Sequence, residues 1–227
     1  MKPHLRLAET HTADGKALVL FSHDGEFSLN FDGHELMSSA YSVSEQLLGE
    51  LGVAHLRAKS STPVRILIGG LGLGATLRSV LDGAPAGARI DVAELLAPVV
   101  AWNRTHLAPL HADALADPRV KVSVTDVATV IRRAAPATYD AILLDVDNGP
   151  AALVAADNAR LYADAGLRAL HAALRPGGRA IIWSAAPDRR FEARLKRHDF
   201  QLESVPAKTH PRAKRPAYTL YIATRPT

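Results

Sequence analysis

The 227-residue chain is 48% hydrophobic and 22% charged, which is enough apolar material for one sizeable core, and no apolar run reaches the ~20 residues that a membrane helix needs. It has no cysteine, which excludes disulfides, thiolate metal sites and cysteine catalysis. The net charge of +4 attracts anions only weakly and is no signature of nucleic-acid binding, and with no apolar leader in Met1 to Arg6 the expectation is a cytoplasmic protein without membrane association.

The first 40 or so residues read as short strands and turns. Ala17 to Phe21 is an apolar strand candidate and Phe27 to Phe31 alternates apolar and polar residues, while His23-Asp24-Gly25-Glu26 and Asp32-Gly33-His34 are turns of the hairpin kind, the second leading into Glu35-Leu36-Met37. From Ser42 to about His55 the period becomes helical, with Val43, Leu47, Leu48 and Leu51 on one stripe. Ser42 is placed to cap this helix, and Glu45 stands three residues on, as a capping box requires. Residues 1–58 are thus expected to form hairpins and a linking helix ahead of a larger domain over 59–227.

Beyond Lys59-Ser60-Ser61-Thr62-Pro63 the pattern is regular. Strands are predicted at Val64 to Ile68, Arg89 to Ala93, Val120 to Val124 and Tyr139 to Leu144, with a helix from Ala75 to Leu81 and another with Pro98 near its start. A helix from about Asn158 to Leu174 leads through Arg175-Pro176-Gly177-Gly178 into the strand Arg179 to Trp183. Strands that alternate with helices and are apolar throughout imply a mostly parallel sheet covered on both faces. Gln201 to Val205 and Tyr218 to Thr224 read as a closing hairpin that adds an antiparallel strand. Basic residues gather at Arg189 to Arg197 and at Lys208 to Arg215, both expected as solvated faces.

Ligands of open α/β sheets bind beyond the carboxyl ends of the strands, and four such ends here carry distinctive residues. The run Gly69-Gly70-Leu71-Gly72-Leu73-Gly74 lets the backbone turn sharply and approach a ligand closely. Glu94 ends the next strand, where a carboxylate accepts hydrogen bonds from ribose hydroxyls; the alternative is an exposed acid at a helix N-terminus. Asp126 either accepts from an adenine amino group or caps the following helix. Asp145-Val146-Asp147-Asn148-Gly149-Pro150 places two carboxylates and an amide after a buried strand, suited to orienting an amine, accepting its proton or holding a cofactor amino group, unless it is only a turn. No metal site is expected, since the ten histidines show no ligand spacing, and the chain has neither a nucleophile elbow nor a phosphate loop.

The order of these motifs resembles the spermidine synthase-like branch of the class I methyltransferase-fold proteins over roughly residues 25 to 224. The resemblance implies a Rossmann-like fold, a mostly parallel seven-stranded sheet ending in an antiparallel hairpin, preceded by N-terminal β-hairpins. It implies that Gly69, Gly70, Leu71, Gly72 and Gly74 hold the methionine part of an S-adenosylmethionine-type cofactor. Glu94 would hold its ribose and Asp126 its adenine, with Leu95, Val127 and Asp145 also on the cofactor side. Asp145 and Asp147 become the candidate catalytic residues, and Glu45, Asp147 and Asn148 the candidates for binding the acceptor. Relatives of this kind are often homodimers.

Several positions depart from the aminopropyltransferase pattern. The aspartate usual inside the glycine run is absent, with Gly72 and Leu73 in that stretch, and the amine loop differs from the usual Asp-Ser-Ser-Asp-Pro. The N-terminal Tyr-His-Glu pattern is reduced to Ser44-Glu45, and the glutamine usual after the Asp-Gly turn is missing. On these grounds the expectation is methyl transfer from S-adenosylmethionine to a small amine or amino-acid-like acceptor, by direct displacement at the sulfonium. The alternative is aminopropyl transfer from decarboxylated S-adenosylmethionine. A base or amide at the glycine loop favours the first and an acid there the second. A nucleoside-binding module without turnover and a nicotinamide-dependent oxidoreductase are more distant alternatives. Nucleic acid is not an expected partner, because the basic stretch 206–216 lacks interleaved aromatics.

Overall fold

The computed structural model describes residues 4–12, 14–56, 63–111, 113–146 and 158–227. Strands β1 (Leu5–His11), β2 (Ala17–His23), β3 (Glu26–Phe31) and β4 (His34–Ser38) form an antiparallel sheet in sequence order. Asp24-Gly25 and Asp32-Gly33 make its two tight turns, and all four residues have positive φ, as the mirror-image hairpin turns that match strand twist require. Leu18, Leu20, Leu29 and Phe31 fall on one face and are buried, while β1 is a largely exposed edge strand.

Helix α1 (Val43–Ala54) follows, preceded by a 3-10 turn over Ser39–Tyr41. The expected capping box is not made. The 3-10 turn brings Ser42 in at φ −89°, ψ 17°, rather than the extended geometry a cap needs, and its side chain accepts no cap bond. Glu45 instead accepts a 2.6 Å hydrogen bond from the Ser44 hydroxyl.

The second sheet contains β5 (Arg65–Gly69), β6 (Arg89–Glu94), β7 (Val120–Val124), β8 (Tyr139–Leu144), β9 (Leu174–Ser184), β10 (Gln201–Ala207) and β11 (Tyr218–Thr224). Its order is β10-β11-β9-β8-β5-β6-β7, with β11 antiparallel to both neighbours. Helices α2 (Ala75–Gly83), α3 (Ala97–Arg104), α4 (Val127–Arg133), α5 (Asn158–Leu161), α6 (Asp164–Ala173) and α7 (Arg189–Arg197) connect the strands. The central strands β5 and β8 are largely apolar because both faces are covered. Ile66, Ile68 and Leu143 join one core with α1, α2 and the N-terminal sheet, and Leu67, Ile142 and Leu144 join the other. Close approach of α1 to α2 and to this sheet depends on small residues. A Cβ on Gly49 would sit 2.5 Å from the Ser79 Cβ, and one on Gly52 would sit 2.7 Å from a Leu143 methyl.

The helix expected from Asn158 to Leu174 is two pieces, because the chain turns at Tyr162 and Ala163 to bury the Tyr162 ring edge-on against Phe191 at 5.4 Å. Leu174 already belongs to β9. Arg175 to Gly178 then loop out of the ladder, since Leu174 pairs with Tyr139 but Arg179 pairs with Ala141. That bulge brings an Arg175 guanidinium to the fully buried Asp140 carboxylate at 2.8 Å. The basic stretch at 189–197 is α7, capped by Asp188 and anchored by buried Phe191 and Leu195, with most of its cations facing water. The expected boundary between residues 58 and 59 lies outside the described residues.

Candidate functional site

The carboxyl ends of β5, β6 and β8 and the starts of the helices after β5 and β7 meet along one edge of the sheet. After β5 the chain turns at Gly70, whose φ of +87° and contact with the Asp145 carbonyl oxygen leave no room for a Cβ. Gly72 passes under β4, and a Cβ there would lie 2.7 Å from the Met37 sulfur. Gly69 packs against Val127, and Gly74 opens α2.

Glu94 is 7% exposed and already has structural work. One carboxylate oxygen accepts from the Leu71 N–H at 2.8 Å and the other from the Leu96 N–H at 2.8 Å, tying the glycine loop to the start of α3. Burial pushes its carboxyl up, and these amide bonds oppose that shift. The Gly72 and Leu95 N–H groups oppose it as well. Asp126 is the N-cap of α4, accepting from the Ala128 N–H at 2.8 Å, and it also lines the cleft. The capping reading of this residue is thus observed, and its place on the cleft wall is where the adenine reading would put it. Leu95 is 52% exposed beside the same cleft, and Val127 borders it.

These groups line a cleft of about 100 Å³ that opens to solvent. Its roof comes from the N-terminal sheet through Leu18, Leu29, Leu36 and Met37. Met37, Gly72 and Asp145 also line a small neighbouring hollow of about 10 Å³, whose other walls include Ser38, Ser42 and Glu45. Glu45 and Asp145 thus come together from α1 and the end of β8, although they are distant in sequence.

Asp145 is pushed up to about 7 by burial and by the nearby Glu45 carboxylate, with Glu94 adding to the effect, while a 2.8 Å hydrogen bond from the Thr76 hydroxyl opposes it. Burial also raises Glu45. The Thr76 oxygen lies 3.3 Å from the Glu45 carbonyl, so one hydroxyl stands between the two acidic residues. On the far side, the Tyr218 phenol is raised by burial and by Glu45, and its ring packs on Trp183 at 4.7 Å. Asp147 and Asn148, expected to assist the acceptor, lie outside the described residues.

Sequence reasoning missed Thr76, Met37, Trp183 and Tyr218. Thr76 and Trp183 carried a signal, since one follows the glycine run and the other lies near the carboxyl end of β9. Tyr218 begins an antiparallel strand, so it reaches this edge with its first residue and escapes a rule built on strand ends. No lysine, arginine or histidine is among the described residues lining either cavity, and no group of three or more histidines and acids among the described residues is placed to hold a metal ion. Such walls favour a cationic ligand.

Comparison with known proteins fits this geometry. Residues 49–201 match the spermine/spermidine synthase domain. Polyamine aminopropyltransferase 2 of Pseudomonas aeruginosa is 36% identical over 138 residues, which is 59% of this chain and 37% of that protein. The chain spans 37 to 52% of the length of the curated polyamine aminopropyltransferases it matches. Among solved structures, spermidine synthase from Thermotoga maritima superposes with a TM-score of 0.75 at 18% identity, covering 99% of this chain and 74% of that one. Human methyltransferase-like protein 13 in complex with SAH superposes with a TM-score of 0.57 at 21% identity, covering 80% and 79%. These two establish the Rossmann-like class I fold.

The expectation of methyl transfer is corrected by the domain match and by these relatives, which point to its alternative, aminopropyl transfer. Glu45 and Asp145 bring carboxylates beside the glycine run from other elements. The chain belongs to the spermine/spermidine synthase family.

Proposed function

We propose that the chain transfers the aminopropyl group of decarboxylated S-adenosylmethionine to an amine. The observation that carries this is the charge of the joined cavities, in which Glu94, Asp126, Asp145 and Glu45 meet no cation among the described lining residues. S-adenosylmethionine would bring a carboxylate toward Glu45 and Asp145, whereas the decarboxylated form brings only an ammonium and the sulfonium. The Pseudomonas relative, a polyamine aminopropyltransferase, supports the same reading.

In this reading Glu94 takes the ribose hydroxyls, Asp126 and Val127 face the adenine, and the glycine loop lets the sulfonium end approach the backbone. Leu95 borders the nucleoside. The acceptor enters beside Glu45, with Asp147 and Asn148 continuing the chain after Asp145. The amine lone pair forms the new C–N bond as the C–S bond breaks, sulfur keeps the bonding pair, and methylthioadenosine leaves as a neutral thioether. Asp145 takes the proton the amine must lose, a role suited to a carboxylate that titrates near neutral pH. Alignment of the amine with the C–S bond supplies much of the remaining acceleration.

The test is release of methylthioadenosine from decarboxylated S-adenosylmethionine in the presence of a diamine. Asp145→Asn is expected to keep cofactor affinity and lower kcat by about 100-fold or more. Formation of S-adenosylhomocysteine from S-adenosylmethionine with the same amines, without methylthioadenosine release, would contradict the proposal.

A further inference from the structure

We infer that Asn103 is a positioning residue for the transfer, holding Gly72 where the cofactor cleft meets the carboxylates of Glu45 and Asp145. This role rests on the aminopropyl-transfer reading of the site and falls to a side chain that lines neither cavity.

Asn103 stands one residue from the end of α3 and is 8% exposed, beside the buried Trp102. Asparagine is a poor helix former, and a buried carboxamide is costly unless its hydrogen bonds are made. Here both amide hydrogens are used. Nδ2 donates to the Val99 carbonyl at 2.9 Å, one turn back, and to the Gly72 carbonyl at 2.8 Å, from a residue 31 positions away. The first bond stays inside α3, whereas the second leaves it for the glycine loop. The side-chain oxygen lies against Gly74, where a Cβ would sit 2.9 Å from it. One carboxamide thus touches two glycines of the run.

Gly72 is where such a grip matters. With Met37 and Asp145 it lines both cavities, so it stands at their junction. It has no side chain to anchor it, and its φ of +50° is a conformation that glycine adopts at no steric cost. Its place is therefore set by what its backbone binds. The N–H is turned to the Glu94 carboxylate, and the carbonyl accepts from Asn103. The junction is tight, since the hollow beyond it holds only about 10 Å³. Transfer needs the amine in line with the C–S bond, and a misplacement of about 1 Å can cost about 100-fold in rate. The nucleoside depends less on this grip. Glu94 and Asp126, which hold it in the proposed reading, are tied to the Leu71, Leu96 and Ala128 N–H groups rather than to Asn103.

The test is Asn103→Ser. A serine in a helix still donates to the carbonyl four residues back, here Val99, but it is too short to reach Gly72. Asn103→Thr carries the same hydroxyl with a methyl to fill more of the space, and it gives the same reading should the serine variant not fold. With a saturating diamine, kcat for methylthioadenosine release from decarboxylated S-adenosylmethionine is expected to fall about tenfold or more. The Kd of methylthioadenosine, read by calorimetry, should stay within about threefold of wild type, and the acidic limb of the pH profile should not move. A kcat within about twofold of wild type would overturn the inference alone. So would kcat and nucleoside affinity falling by the same factor, the mark of a loop that has lost its structure rather than its alignment. No release by the wild type with any diamine would overturn the aminopropyl reading and the inference with it.

Discussion

Replacing Thr76 by valine removes one hydroxyl and nearly preserves shape, so it isolates what that hydroxyl does for Asp145. Thr76 is 2% exposed, and its hydroxyl donates to the Asp145 carboxylate at 2.8 Å. A hydrogen bond to an ionised group contributes about 1.5–3 kcal/mol, equivalent to roughly 1 to 2 pKa units in favour of the charged form. Asp145 at about 7 should therefore titrate about 1 to 2 units higher in the variant. Because this carboxyl is raised above its unfolded value of 3.8, its proton-linked stability is present below about 4 and is lost as the pH rises through the folded pKa. The variant extends that loss to higher pH, so its deficit against wild type should grow by about 1.5–3 kcal/mol between pH 5 and about pH 9. Two assays read the effect: the pH dependence of kcat/KM, whose acidic limb should move up by about 1 to 2 units, and denaturant melts at both pH values. An unmoved profile together with an equal deficit at both pH values would refute the claim that Thr76 holds the ionised carboxylate.

Other positions separate structure from function. Gly70→Ala puts a Cβ into the Asp145 carbonyl at a φ of +87°, and urea melts should show a loss of about 3 kcal/mol or more; a loss below about 1 kcal/mol would mean the turn can relax. Glu94→Ala leaves the Leu71 and Leu96 N–H groups without their acceptor, so stability should fall by about 2–5 kcal/mol and methylthioadenosine affinity by roughly 100-fold. Full-strength binding by that variant in calorimetry would sink the ribose assignment. Asp140→Asn faces Arg175 and the Arg65 N–H near the opposite end of β8, so it should cost about 2–4 kcal/mol while nucleoside affinity stays within about twofold. A large change in affinity would show that the two ends of the strand are coupled.

The parallel strands and the glycine turn were legible because each is local. Ile66 to Ile68 alternate between two buried faces, and a run such as Gly69 to Gly74 has few structural uses other than a close backbone turn. Ser42 and Glu45 had the spacing of a capping box, but the preceding 3-10 turn fixed Ser42 in the wrong geometry and left Glu45 facing Asp145. That pairing joins α1 to β8, and nothing in the spacing of either segment announces it. The same distance hid the roof over the cleft, where Met37 of an N-terminal hairpin closes on Gly72. Aminopropyl transfer was set aside on departures in the glycine run, the amine loop and the N-terminal segment, whereas charge in a site is a sum over everything that reaches it. Asp126 shows the converse, a single residue whose cap role and cleft position were both legible and do not compete.

The most direct test of the central claim is titration calorimetry with decarboxylated S-adenosylmethionine and S-adenosylmethionine at the same pH and salt. Walls bearing Glu45, Asp145, Glu94 and Asp126 without a cation among the described lining residues predict that the decarboxylated form binds at least about tenfold more tightly. Equal or tighter binding of the carboxylated form would contradict the account.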